Sequence, residues 1–262
     1  ANDFIAKPID LTEIKVRIRS LLKMKKAQDD LKRHQKELEK IVQRRTLALR
    51  ASMRDVVTAQ RQLQEAHMET IYRLVVAAEF KDAGTASHIK RMSLFSAMLA
   101  TLMNLSSGEV DMILHASPLH DIGKIGTPEE ILLKPGRLNQ LEWNLVQQHP
   151  VMGSQILVNS NSTLLQTGEI IAISHHEKWD GTGYPFGLKK EEIPLSGRIC
   201  AIADVFDALT SVRPYKQAYS NDKTLGIMDK GSGSHFDPQL FALFTDNMHQ
   251  VKDIQKQYVT TA

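Results

Sequence analysis

The sequence predicts an all-α protein: a helical bundle preceded by a long coiled-coil-like linker helix. Three observations predict it. Residues 23–67 contain neither Gly nor Pro and are rich in Lys, Arg, Glu and Gln. Beyond them apolar residues recur at helical spacing, while strand-like alternation is scarce. Turn-forming residues concentrate at Lys134-Pro135-Gly136, Asp180-Gly181-Thr182-Gly183 and Gly231-Ser232-Gly233.

Residues 1–22 form the first region. Phe4 and Ile5 lead to Lys7-Pro8, and Asp10 or Thr12 can cap a helix whose stripe is Ile14, Ile18, Leu21 and Leu22. A Lys-Pro pair ahead of a final amphipathic helix resembles the tail of a bacterial response-regulator receiver domain. The chain opens mid-pattern, as though cut from something longer. Residues 23–67 are the linker. Leu31, Gln35, Leu38, Val42, Arg45, Leu49, Ser52, Val56, Ala59, Leu63 and Ala66 alternate steps of four and three. That is an imperfect heptad seam, weakened by Gln35, Arg45 and Ser52, and it predicts a parallel homodimer. Residues 68–262 form the third region. One stripe is Ile71, Leu74, Val75 and Ala78; another is Met92, Phe95, Met98, Leu99 and Leu102.

Composition narrows the function. The chain is 42% hydrophobic and 24% charged, with net charge +3. That balance fits a water-soluble domain and argues weakly for any polyanionic partner. Basic and acidic residues are interspersed, and no stacking aromatics interleave with a basic run, which argues against a DNA binder. No stretch approaches the apolar length of a membrane span, and no secretory signal opens the chain. The lone Cys200, inside the apolar run Ile199–Ile202, excludes an intrachain disulfide and fits a core position in a reducing, cytoplasmic protein.

The chemistry concentrates in the third region. His120-Asp121 and His175-His176 are adjacent pairs, with His88 and His149 nearby in sequence. Asp204 lies in the apolar run Ile202-Ala203-Asp204-Val205-Phe206-Asp207, where a charge needs a cation or a strong donor. A bound metal is the simplest answer. Mixed imidazole and carboxylate ligands suit Fe, Mn, Zn, Ni or Co better than Ca or Mg. Seven candidates, His88, His120, Asp121, His149, His175, His176 and Asp204, divide naturally between two ions with one carboxylate bridging. His115, His235 and His249 are read as ordinary core or surface histidines.

These motifs resemble the HD-GYP domain, a bacterial branch of the HD phosphohydrolase superfamily. The resemblance rests on Leu119-His120-Asp121-Ile122-Gly123-Lys124-Ile125-Gly126, Gln148-His149-Pro150, His175-His176-Glu177-Lys178-Trp179-Asp180-Gly181-Thr182-Gly183-Tyr184-Pro185, Pro194-Leu195-Ser196-Gly197-Arg198, Ala203-Asp204-Val205-Phe206-Asp207-Ala208-Leu209-Thr210, Arg213-Pro214-Tyr215-Lys216 and His235-Phe236-Asp237-Pro238. It spans roughly residues 70–245 and implies an HD-domain bundle that hydrolyses cyclic di-GMP to linear pGpG, with or without a second cut to GMP. It implies His88, His120, Asp121 and Asp204 around one ion, and Asp121, His149, His175 and His176 around a second, with Fe or Mn favoured over Ni, Co or Zn. Some members bind a third ion through a Glu four residues before the first His; that position is Gly84 here, so two ions are expected. Lys124 is expected to clamp phosphate and stabilise the transition state, and Asp121 to act in catalysis as the bridging carboxylate. Tyr184 is expected to stack on guanine, and Arg213 and Lys216 to grip phosphate and base. Asp207 is a candidate to orient a ligand histidine, and Arg198 is read as structural. Two alternatives remain open: hydrolysis of a related dinucleotide, cyclic GMP-AMP, and a metal-bound cyclic di-GMP receptor that meets partner proteins through its Gly-Tyr-Pro surface.

Overall fold

The computed structural model describes residues 11–82, 86–212 and 217–258. Helix α1 runs from Leu11 to Glu79 without a break. Contacts divide the chain at His67/Met68 into two units.

The first unit is helix alone. Strong helix formers and the absence of Gly and Pro sustain it, helped by ion pairs one turn apart such as Arg17 to Glu13 at 2.7 Å and Arg61 to Glu65 at 2.9 Å. Its seam residues, among them Leu31, Leu38, Val42, Leu49, Val56 and Leu63, are all exposed, so nothing within the unit buries them.

The second unit, residues 68–262, is a bundle of short helices: α2 (Ala86–Leu102), α3 (Ser107–Ala116), α4 (Glu129–Leu132), α5 (Gln140–Val146), α6 (His149–Leu157), α7 (Thr163–Ser174), α8 (Leu195–Thr210), α9 (Asn221–Asp229), α10 (Pro238–Asp246) and α11 (Met248–Gln257). A 3₁₀ segment, Ser117–Gly126, lies between α3 and α4. Among the described residues there is no strand, only a bridge between Ser232 and Phe236. Sequence signals mark the helix starts. Ser106 with Glu109, and Asn139 with Glu142, form reciprocal capping boxes at α3 and α5.

The main core packs α2 against α8, α10 and α11. Phe95, Phe206 and Phe244 meet edge to face at its centre, with centroids 4.9 to 6.1 Å apart. Cys200 is fully buried here. A second cluster joins Val75 and Ala78 of α1 to Ile89, Leu119, Ile122, Leu157 and Ala172. The predicted α2 stripe is buried along its length, Leu102 only partly. On α1 the prediction fails at Leu74, which is exposed, and Glu79 takes the buried place one turn beyond Val75. The stripe therefore contains a carboxylate.

Candidate metal centre

The 3₁₀ segment fixes the heart of the site. With three residues per turn, side chains at i and i+3 eclipse. Asp121 and Lys124 consequently lie one above the other, and Lys124 Nζ sits 2.7 Å from Asp121 Oδ2. Sequence spacing pairs these residues on a helix; the tighter helix brings them into direct contact. His120, Gly123 and Gly126 line another edge. A Cβ on Gly123 would collide with the backbone carbonyl of His149 and the backbone nitrogen of Gly153, so only glycine admits the close approach of α6. At the end of the segment Lys81 Nζ donates to the carbonyls of Ile125 at 2.6 Å and Thr127 at 2.7 Å.

Around this segment the structure brings together all seven expected ligands. Asp121, His149, His175 and His176 each offer a ligand atom within 4.8 Å of the others. His149 Nε2 lies 3.1 Å and His175 Nε2 3.6 Å from Asp121 Oδ1. On the other side of Asp121, His120 Nε2 is 3.1 Å from its Oδ2. Asp204 Oδ1, carried by α8, is 3.7 Å from His88 Nε2 and 3.9 Å from His120 Nε2. Arg213 and Lys216 lie outside the described residues, as does Gly84.

Four of the five imidazoles are oriented from behind. The Nδ1 of His120 lies 3.0 Å from the Ser117 carbonyl, that of His149 2.7 Å from Val146, and that of His175 2.9 Å from Ala172. A carbonyl accepts only, so each Nδ1 carries the proton and each Nε2 turns a lone pair inward. His88 Nδ1 likewise meets Asp207 Oδ2 at 2.7 Å. Asp207 also takes Arg91 Nε at 2.6 Å and Nη2 at 2.9 Å, and the Ser211 hydroxyl at 3.0 Å. Asp207 thus holds His88, one of the expected ligands, and Arg91, which the sequence reading missed among many basic residues, holds Asp207.

The resulting pocket is a set of acceptors facing one another. His149 Nε2 and His175 Nε2 are 3.4 Å apart. His120 Nε2 and Asp121 Oδ1 are buried without a hydrogen-bond partner. Buried acceptors left like this are costly, and a cation among them removes the penalty. The residues present therefore fit a divalent metal ion, and the donor set of imidazole nitrogen and carboxylate oxygen is that of a transition metal. The electrostatics agree. Burial opposes charge on His120, yet the carboxylates of Asp121, Asp204 and Glu79 together outweigh it and push the imidazole up to about 9, so the site draws in a cation, if only a proton. Burial, with His175 and His149 beside it, holds His176 well below the usual range and keeps it neutral, as a ligand must be. Asp121 stays ionised against burial because Lys124 and His120 stand beside it.

One carboxylate of the site was missed. Glu79, buried at the end of α1, offers an oxygen within 4.8 Å of ligand atoms of His88 and His120. The signal was present: a charge closing an apolar stripe, the same signal that marked Asp204.

The loop 175–194 forms one wall. Glu177 is buried and accepts from the backbone N–H of Phe186 at 2.7 Å and Leu188 at 3.0 Å, folding the loop on itself. Gly181 has φ +84, whereas Gly183 is required by space, since a Cβ there would strike the backbone of Glu177 and Lys178. Tyr184 stacks on His176 with centroids 4.7 Å apart, and Trp143 of α5 stands edge-on to it at 6.4 Å. Trp143, 42% exposed, is a second aromatic that the sequence reading passed over. Arg198 pairs with Asp237 at 2.7 Å and is structural, as expected.

Comparison with known proteins gives the same direction. The HD-domain family matches residues 76–240. The chain is 39% identical over 260 residues to the cyclic di-GMP phosphodiesterase response regulator RpfG of Xanthomonas campestris, covering 99% of this chain and 65% of that protein. It is 36% identical over 257 residues to a cyclic di-GMP phosphodiesterase of Thermotoga maritima, covering 98% and 68%. To 3'3'-cGAMP-specific phosphodiesterase 2 of Vibrio cholerae it is 44% identical over 185 residues, covering 71% and 35%. The chain thus spans 35% to 68% of the length of these relatives. The crystal structure of the V. cholerae cyclic GMP-AMP phosphodiesterase V-cGAP3 shares the fold, with a TM-score of 0.53 at 18% identity, covering 74% of this chain and 51% of that one.

Proposed function

The chain belongs to the HD-domain family, in its HD-GYP branch, and from that premise we propose that it is a metal-dependent phosphodiesterase acting on cyclic di-GMP. The product is linear pGpG, with or without a second cut to GMP, and the activity is the output of a cytoplasmic response regulator whose receiver domain ends within residues 1–22. The observation that carries this reading is the convergence of inward-facing Nε2 lone pairs on Asp121 beside the ammonium of Lys124.

We place His88, His120, Asp121 and Asp204 around one ion, and Asp121, His149, His175 and His176 around another. Fe or Mn fits the donor set first, with Ni, Co or Zn as substitutes. Bound there, such ions supply Lewis acidity and a water that ionises near neutral pH. Asp121 faces both histidine groups and sets the spacing between them. Lys124 holds positive charge beside Asp121, where it can meet a phosphate oxygen and the charge that grows on it. Tyr184, backed by His176, presents the rest of its ring to a purine, with Trp143 extending the aromatic wall. Arg213 and Lys216 complete the proposed substrate contacts. The exposed seam of α1 supports a homodimer through residues 23–67, and the Gly-Tyr-Pro loop offers a surface for protein partners.

The test is anaerobic purification with metal analysis, then assay on cyclic di-GMP and on cyclic GMP-AMP side by side. The similarity to relatives named for 3'3'-cGAMP makes the second substrate a live reading. Preferential turnover of the mixed dinucleotide would reassign specificity. Metal-loaded protein that binds but does not hydrolyse either one would identify a receptor. Asp121→Ala should lose all bound metal; stoichiometric retention would contradict its bridging place.

A further inference from the structure

We infer that Glu79 is itself a metal ligand, joining the set built on His88 and His120 at a position that the sequence motifs do not assign. The inference rests on the metal-centre reading above and deepens it. Geometry comes first: one oxygen of Glu79 and one ring nitrogen of each histidine lie within 4.8 Å of one another, close enough to share an ion. Burial comes second: Glu79 is 5% exposed, and its Oε1 has no hydrogen-bond partner. His120 Nε2, which shares the space, has none either. An acceptor oxygen and an acceptor nitrogen buried side by side call for something positive between them.

Helix position adds to the argument. Glu79 is the last residue of α1, where the helix dipole presents its negative end. A carboxylate there is doubly unfavourable, through burial and through the dipole, and a cation relieves both. Nearby ammonium groups are engaged elsewhere: Lys81 on the Ile125 and Thr127 carbonyls, Lys124 on Asp121. The two histidines are already fixed from behind, His88 by Asp207 and His120 by the Ser117 carbonyl. Glu79 would then join Asp121 and Asp204 as a carboxylate facing these rear-fixed imidazoles, a mixed imidazole and carboxylate set that suits Fe or Mn.

The decisive comparison is wild-type protein with Glu79→Gln, using Mn²⁺ alone as probe and two readouts, bound metal after equilibrium dialysis and melting temperature with and without EDTA. In EDTA the variant should melt at or above the wild type, because a buried unpaired charge has gone. In Mn²⁺ it should bind fewer ions per chain, or bind roughly tenfold or more weakly, since even outer-shell partners of metal ligands contribute that much. Glu79→Asp, which keeps the charge but withdraws it by one methylene, should weaken Mn²⁺ binding with the fold intact, and serves if the Gln variant does not fold. Wild-type stoichiometry and affinity in both variants would overturn the assignment of Glu79 while leaving the metal centre standing. A wild-type protein that takes up no Mn²⁺ or Fe²⁺ would overturn both.

Discussion

Replacing Asp207 by Ala would remove the acceptor that joins Arg91 to His88. The structure sets the size of the effect. Asp207 is 0% exposed and receives two nitrogens of Arg91, His88 Nδ1 and the Ser211 hydroxyl. Arg91 is buried as well, so the substitution strands its guanidinium charge. Breaking a buried ion pair from one side costs about 3–5 kcal/mol. A separate loss falls on His88, whose ring would no longer be held with Nε2 toward Asp204. Outer-shell partners of this kind contribute roughly 10–100-fold in metal affinity, or about 1.4–2.7 kcal/mol. The two effects separate experimentally. Urea unfolding in EDTA reads the first, and Mn²⁺ titration of the folded protein reads the second. Removing both charges, in Arg91→Leu with Asp207→Leu, should recover most of the stability, because no stranded charge remains, but not the metal affinity. A loss below about 1 kcal/mol for Asp207→Ala in EDTA would refute the reasoning, since it would place the pair among exposed ones. A double variant as unstable as the single one would mean that packing, not charge, carries the effect.

The same geometry sets three more outcomes. Gly123→Ala should destabilise by at least about 1–3 kcal/mol, because the new Cβ meets backbone of His149 and Gly153 that cannot step aside; an unchanged melting curve would show that α6 has room. Tyr184→Ala should raise KM by a factor equivalent to about 1–3 kcal/mol of lost stacking while metal content stays constant; equal KM in the two proteins would remove Tyr184 from the substrate wall. Burial, with Lys178 adding to it, pushes His235 down to about 4 from 6.5. Its folded value lies below its unfolded one, so the associated stability is complete above about pH 6.5 and is lost as pH falls toward 4, on the order of 3 kcal/mol. Acid unfolding of His235→Gln should lack that portion of the slope, and superimposable profiles would argue against it.

Much of this protein could be read from local pattern. The α2 stripe of Met92, Phe95 and Leu99 is a helical period, and a period of that kind already fixes which face is buried. The carboxylate of Asp204 within an apolar run, and the doublets His120-Asp121 and His175-His176, pointed to one chemistry because a charge drawn in among apolar residues needs a partner; the structure leaves Asp204 half-buried. The unbroken helix across residues 23–67 was equally visible, and so was the core position of Cys200.

Other features depended on chain segments meeting at a distance. Glu79 shows in the sequence only as a charge closing an apolar stripe, and its partners His88 and His120 appear when α1 is laid beside them; Arg91 is one basic residue among many until Asp207 lies against it. Trp143 becomes a wall only when α5 reaches the loop carrying Tyr184. The orientation of the imidazoles was also beyond the sequence, because it is set by the carbonyls of Ser117, Val146 and Ala172 behind the rings. The sequence by itself determined which residues had the donor chemistry for a metal and which faces were apolar, since both depend on residue type and short-range spacing. Tertiary structure alone decided which lone pairs face one another, because hydrogen-bond direction and the exclusion of water arise only where distant segments pack.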